Sequence, residues 1–290
     1  HMALGNYKAL LRKHGFRRVF GWRGMIMTRL RAILVLGHYG ALRMQRERYL
    51  QLMEDCLVGR VYQDPSLPAN GGGHYDGQLR EYGWDWPSMA HSMIGSRRMR
   101  QLRTAAETVL FERIPGDFAE AGVWRGGACI LLRAVLEAYQ VKERSVWVMD
   151  SFQGLPVPDA ELYPADVGDD FHTYTELCVS KDEVQENFRR YGLLDDRVRF
   201  LPGWFKHSLP GSGIKELAIL RIDADMYEST KDVLTNLYDH VSIGGFVIID
   251  DYHVVEGCKK ATTDFRHDRK IYDPIVEIDG VGVYWRKRCA

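Results

Sequence analysis

Residues 117–139, "DFAEAGVWRGGACILLRAVLEAY", decide the fold. A short apolar run, 117–123, gives way to a turn carrying Gly122, Gly126 and Gly127, and then to residues with helical spacing. That is a strand, a turn and a helix. The glycines let the backbone come close to a ligand, and the helix start presents free N–H groups. The next run, "VWVMD", ends on Asp150, 28 residues beyond Gly122. A carboxylate at the tip of a second strand can accept hydrogen bonds from both hydroxyls of a ribose. An adenosine-containing cofactor is therefore expected. A dinucleotide would need a tight glycine fingerprint for its pyrophosphate, and here Trp124 and Arg125 fill the turn. Glu120 suits the ammonium of a methionine moiety, which favours S-adenosylmethionine over NAD. The plainer alternative is that Glu120 and Asp150 merely cap or solvate strand ends.

Outward from this stretch the same texture repeats. Apolar runs at 146–149, 197–201, 217–222, 246–249 and 275–285 alternate with helix-compatible segments at 127–140, 180–191, 229–240 and 256–268. Such alternation predicts a Rossmann-like α/β fold with a mostly parallel sheet and helices on both faces. Asp279-Gly280, inside the last run, predicts an antiparallel edge hairpin. Before residue 117, residues 6–60 read as one or two helices and "QDPSLPANGGGHYDGQ" (63–78) as a loop. Residues 85–117 read as one long helix opened by Pro87 and stopped by Pro115-Gly116. The expected division is a helical extension and lid over 1–104 and a Rossmann-like domain over 105–290.

Thirty-nine basic and thirty-nine acidic residues cancel, so no global field recruits nucleic acid or an anionic membrane. Arg29 and Arg31 interrupt the most span-like stretch, 25–44, which falls short of the ~20 apolar residues a span needs. Five scattered cysteines without a CxxC motif argue against disulfides or structural zinc and fit a cytoplasmic protein.

Two further runs end in acid: "LRIDADMYEST" (220–230) and "FVIIDDYH" (246–253). Asp223 and Asp225, two apart, share a face of an extended chain. Asp250 and Asp251 serve one site only if the strand ends there. Ligands of open α/β sheets bind beyond the carboxyl ends of the strands. Carboxylates converging there repel unless a cation sits among them, and oxygen ligands point to Mg²⁺, with Mn²⁺ or Ca²⁺ as alternatives. Caps and turns are the structural alternative for these residues. The chemistry explains why a metal would help. An alkyl hydroxyl titrates near ~15.7 and an Asp near ~3.9, so direct proton transfer is uphill by roughly 16 kcal/mol. A bound cation and a buried, more basic Asp narrow that gap from both sides.

The segments "DWPSMAHSMIG", "PGDFAEAGVWRGGA", "VWVMDSFQGLP", "NFRRYGLLDDRVRFLPGWF", "LAILRIDADMYEST", "GGFVIIDDYH" and "GVGVYW" together resemble the macrocin O-methyltransferase family, over residues 62–286. The resemblance implies an S-adenosylmethionine- and Mg²⁺-dependent enzyme that methylates a sugar hydroxyl of a glycosylated natural product in antibiotic biosynthesis. It implies Asp223, Asp250 and Asp251 as metal ligands and Asp225 as general base, with His172 as a second candidate base or relay. Glu120, Ala121, Gly122, Val123 and Trp124, with Asp150 and Ser151, would line the cofactor's methionine and ribose; Trp204 would flank its adenine, and Ser92 and Met93 would close over it. By analogy the chain is expected to form a homo-oligomer, a dimer or higher. The first ~60 residues and the 157–179 insert are where acceptor choice is expected to lie.

Three rivals stay open. One is methylation of a non-sugar hydroxyl. Another is a Mg²⁺-dependent phosphotransferase or hydrolase, whose common GxxxxGK[ST] loop is absent from the sequence. The third is a non-catalytic module of the same fold, which would be expected to have lost some of these acids.

Overall fold

In a strand, alternate residues face opposite sides, and the runs at 146–149, 217–222 and 246–249 are apolar on both. That pattern suits interior strands covered by helices on each face. The computed structural model describes the backbone of residues 22–288 and side chains from residue 40. Its strands are β1 (Asp117–Ala121), β2 (Val146–Asp150), β3 (Val198–Pro202), β4 (Leu217–Ile222), β5 (Val241–Ile249), β6 (Val276–Glu277) and β7 (Val283–Arg286). They form one sheet in the order β3-β2-β1-β4-β5-β7-β6. β1 to β5 run parallel, and β7 is antiparallel to β5 and to β6. The Asp279-Gly280 hairpin is β6–β7. The chain divides into two compact units, residues 1–48 and 49–290, and everything below concerns the second.

The helices are α1 (Trp22–Leu57), α2 (Gly77–Tyr82), α3 (Gly95–Glu112), α4 (Gly127–Ala138), α5 (Lys181–Arg190), α6 (Phe205–Ser208), α7 (Tyr227–Leu237) and α8 (Glu256–Asp268). Residues 6–21 of the expected N-terminal helices lie outside the described residues. No described helix is long and apolar enough to cross a membrane. On one face of the sheet Phe118, Val146 and Val148 pack with Met99 and Leu102 of α3, Leu131 of α4 and Phe188 of α5. On the other, Ala119, Ala121, Leu220 and Val247 pack with Val233 and Leu237 of α7 and Phe265 of α8.

Two expectations need correction. The long helix does not begin at Pro87 but at Gly95. The intervening donors are already used: the Asp64 carboxylate accepts from Ser88 Oγ and from the Met89 and Ala90 N–H groups, and Leu57 O accepts from His91 and Ser92. β5 begins at Val241 rather than 246. Its register against β4 jumps between Leu217↔Val241 and Ile219↔Phe246. Ser242, Gly244 and Gly245 fall in that irregularity and read in the sequence as a break.

The carboxyl rim is what positions the site. Backbone bonds continue one residue past the strands: Gly203 N to Asp150 O, Gly122 N to Met149 O, Asp223 N to Ala121 O and Asp250 N to Ile222 O. The ends of β1, β2, β4 and β5 are thereby set side by side. Strand order reverses between β1 and β4, which opens a crevice there.

Gly122 sits in that crevice at φ +82°, and a Cβ on it would lie 1.6 Å from the Asp223 carbonyl oxygen. Gly122→Ala is expected to lower unfolding free energy by at least ~3 kcal/mol in urea denaturation. His91 gives a pH-dependent expectation. Its Nδ1 lies 2.9 Å from the Tyr191 hydroxyl. Burial, then Arg190 and Arg125, push its imidazolium down to about 4. Because the unfolded chain protonates near ~6.5, the contribution is intact above that pH and is lost as pH falls towards 4. Between pH 7 and 4 the parent should lose about 2 kcal/mol more stability than His91→Phe, after discounting for the partly exposed ring. Parallel urea curves across that range check this.

Candidate active site

A cavity of ≈ 380 Å³ lies over the carboxyl rim. Its walls take in both groups of residues singled out from the sequence, the glycine turn with Asp150 and the aspartates after β4 and β5.

On the first side, Asp150 is held by backbone donors from both neighbouring turns: Val123 N at 2.8 Å and Phe152 N at 2.7 Å. Burial raises its carboxyl, and these bonds partly oppose the rise. Ser151 Oγ donates to Gly154 O at 2.7 Å. Glu120 is 1% exposed. Its Oε1 accepts from Arg221 Nη1 and its Oε2 from the Cys129 thiol at 2.9 Å. Burial pushes Glu120 up to about 7 against the pull of Arg221. Trp124 takes a left-handed backbone, φ 46°, and its indole N–H donates to Glu176 O at 2.8 Å. Ser92 and Met93 reach the wall because Gly127 lets their segment lie against the start of α4, its N–H donating to His91 O at 2.9 Å. Trp204, just before α6, also lines the cavity. Ala121 does not: its side chain is in the core beneath the opposite face, and only its carbonyl serves the rim, through Asp223.

On the second side, Asp223, Asp225 and Asp251 each place an oxygen within 4.8 Å of the others. All three carboxyls are raised, first by burial and then by neighbouring carboxylates; Asp225 and Asp251 lie well above the usual range. Asp225 stands at φ 53°, a costly conformation for a non-glycine residue. Among the described residues no hydrogen bond engages its carboxylate. Asp250 is placed differently from its neighbours: one oxygen accepts from Arg98 and the other from Arg221. Arg221 Nη1 also donates to Asp223 at 2.9 Å. Arg98 further reaches Asp279 and Tyr82 O, each at 3.1 Å.

This donor set suits a hard cation. Three clustered carboxylates are all oxygen ligands, and Asp251 Oδ2 is buried without any hydrogen-bond partner. His172 is exposed on the short turn Phe171–Thr173; Phe171 lines the cavity and the imidazole does not.

Arg98, Arg221 and Asp166 were missed from sequence. Arg221 had a signal, since a lone arginine inside the apolar run "LAILRI" must find partners. Glu120 offers one at the register position directly opposite, on β1. Asp166 is 2% exposed and accepts from Tyr227 N at 2.6 Å and Glu228 N at 3.0 Å. It caps α7 just after Asp225, from 61 residues upstream. No local pattern marks such a long-range cap.

The family model described as macrocin O-methyltransferase (TylF) matches residues 25–287. Demethyldecarbamoylnovobiocin O-methyltransferase of Streptomyces niveus is 49% identical over 82% of this chain and 93% of its own. Mycinamicin III 3''-O-methyltransferase of Micromonospora griseorubida is 47% identical over 83% and 96%. The solved structure of the O-methyltransferase NovP superimposes with a TM-score of 0.82 at 48% identity, covering 84% of this chain and all of that one. The chain belongs to the macrocin O-methyltransferase family and is an O-methyltransferase.

Proposed function

We propose that the enzyme transfers the methyl group of S-adenosylmethionine to a sugar hydroxyl of a glycosylated natural product, with Mg²⁺ in the site. The observation that carries this is a single cavity lined both by the Glu120–Asp150 wall and by the aspartate cluster. The relatives act, by their names, on novobiocin and mycinamicin intermediates, which supports a glycoside acceptor.

Glu120, with Gly122 to Trp124, would receive the methionine end of the donor. Asp150 and Ser151 would take its ribose and Trp204 its adenine, with Ser92 and Met93 closing over it. Asp223 and Asp251 would hold the cation, and Asp250 would join them by giving up part of its hold on Arg98 or Arg221. A dication bound there supplies stabilisation for the negative charge that develops on the acceptor oxygen. Asp225 is the base. Its carboxylate is free of hydrogen bonds among the described residues, and burial first, then its neighbours Asp223, Asp169 and Asp250, raise its proton affinity. It would take the hydroxyl proton while the bound donor would supply the methyl group to the acceptor oxygen, the C–S electron pair returning to sulfur. His172, exposed beside Phe171, would act at most as a relay to solvent.

A phosphotransferase would ignore the nucleoside, and a binding module would ignore the metal. Thermal shift with S-adenosylhomocysteine and with Mg²⁺ should show a rise for each. Asp225→Asn should keep the S-adenosylhomocysteine shift while kcat falls about 10²–10⁴-fold. Full turnover in that variant, followed by mass spectrometry of a glycoside acceptor, would remove Asp225 from the mechanism.

A further inference from the structure

Arg221 is 1% exposed in the middle of the sheet. Its guanidinium reaches carboxylates from three strands: Glu120 of β1, Asp223 after β4 and Asp250 after β5. Glu120 belongs to the donor wall, whereas Asp223 and Asp250 belong to the cation side. Among the acids lining the cavity, Glu120, Asp223, Asp225, Asp250 and Asp251 crowd the ends of β1, β4 and β5, and two buried guanidiniums sit against them: Arg98 on Asp250, and Arg221 on Glu120, Asp223 and Asp250. Anions so confined need positive charge whether or not a ligand is present.

We propose that Arg221 is a built-in counter-ion, a positioning residue that supplies the empty site with charge the ligands bring when they arrive. It rests on the proposed Mg²⁺ and S-adenosylmethionine reading in one respect: the oxygens that Arg221 holds are the ones those ligands need. Two consequences of opposite sign follow. Without ligands Arg221 holds the strand ends together. With ligands it competes for their oxygens, so the site binds a cation more weakly than its carboxylates alone would.

Arg221→Met separates these roles. Ligand-free, its Tm should fall by roughly 10 °C. Mg²⁺ alone, titrated by calorimetry, should bind about tenfold more tightly than to the parent, and should raise the variant's Tm by more than the parent's. A merely structural loss would not tighten metal binding. Arg80→Met is the control: Arg80 pairs with Asp85 at 2.6 Å, both 1% exposed in their side chains. It should lose comparable stability with Mg²⁺ affinity unchanged. Where Arg221→Met gives no folded protein, Arg221→Lys keeps a charge but loses the fork that spans Glu120 and Asp250, and both changes should appear at smaller size. An unchanged ligand-free Tm, or Mg²⁺ affinity equal to or weaker than the parent's, overturns the inference. A parent protein that responds to neither Mg²⁺ nor S-adenosylhomocysteine instead defeats the proposed function, and the cation half of this inference with it.

Discussion

One guanidinium, buried between the middle strands, sets the terms for the rest of the structure. A parallel sheet gathers its functional side chains at one edge, and here those side chains are mostly acids. Left alone they would repel one another and resist burial. Arg221 meets Glu120 across the β1–β4 register and reaches past the end of β4 to Asp223 and Asp250. Arg98, arriving from α3, takes the other oxygen of Asp250 and ties in Asp279 of the β6–β7 hairpin. The sheet, its antiparallel edge and a helix outside it thus meet at one polar knot in an apolar interior. A half-satisfied network of this kind would destabilise the fold; beside it, in the aspartate cluster, Asp251 Oδ2 is buried without a hydrogen-bond partner among the described residues.

Much of this was legible in the sequence because it rests on local pattern. Apolar runs separated by helical spacing gave the sheet, and the acidic ends of those runs marked its carboxyl rim. What escaped was long-range. Arg98 and Asp166 find their partners 152 and 61 residues away, beyond the reach of any periodicity. The start of α3 was misplaced because a proline suited to a first helical turn was outweighed by Asp64 and Leu57, which claim the donors of the segment that follows it. β5 was shortened because its irregularity is built from Ser and Gly, the residues that ordinarily signal a loop. The acidic ends of the two runs bring all four aspartates to one rim, where Asp223, Asp225 and Asp251 cluster and Asp250 sits between two guanidiniums, an arrangement that no local pattern announces.

Backbone strain clusters at the same rim. Trp124, Phe152 and Asp225 all adopt positive φ, one in each of the turns that follow β1, β2 and β4. Such conformations persist where surroundings over-determine them. Here the turns are fixed by Asp150, which accepts from Val123 and Phe152, and by Asp166, which accepts from the start of α7. Carboxylates therefore serve as scaffold at this rim.

Hydrogen bonds rivet the 157–179 insert at Asp166, which grips the start of α7, and at the Glu176 carbonyl, which holds the Trp124 indole, with the ring contacts Tyr163–Tyr227 and Tyr174–Trp86 beside them. Between and before these rivets, Val157, Leu162 and Val167 stand 72%, 64% and 67% exposed. Mutational drift is thereby channelled. Val157, Leu162 and Val167 can be exchanged without disturbing the cavity floor, while the fastened positions, together with Asp169 beside Asp225 and Phe171 on the cavity wall, transmit any displacement straight into it, so diversification of this segment must proceed by rewriting the bare positions and leaving the rivets in place.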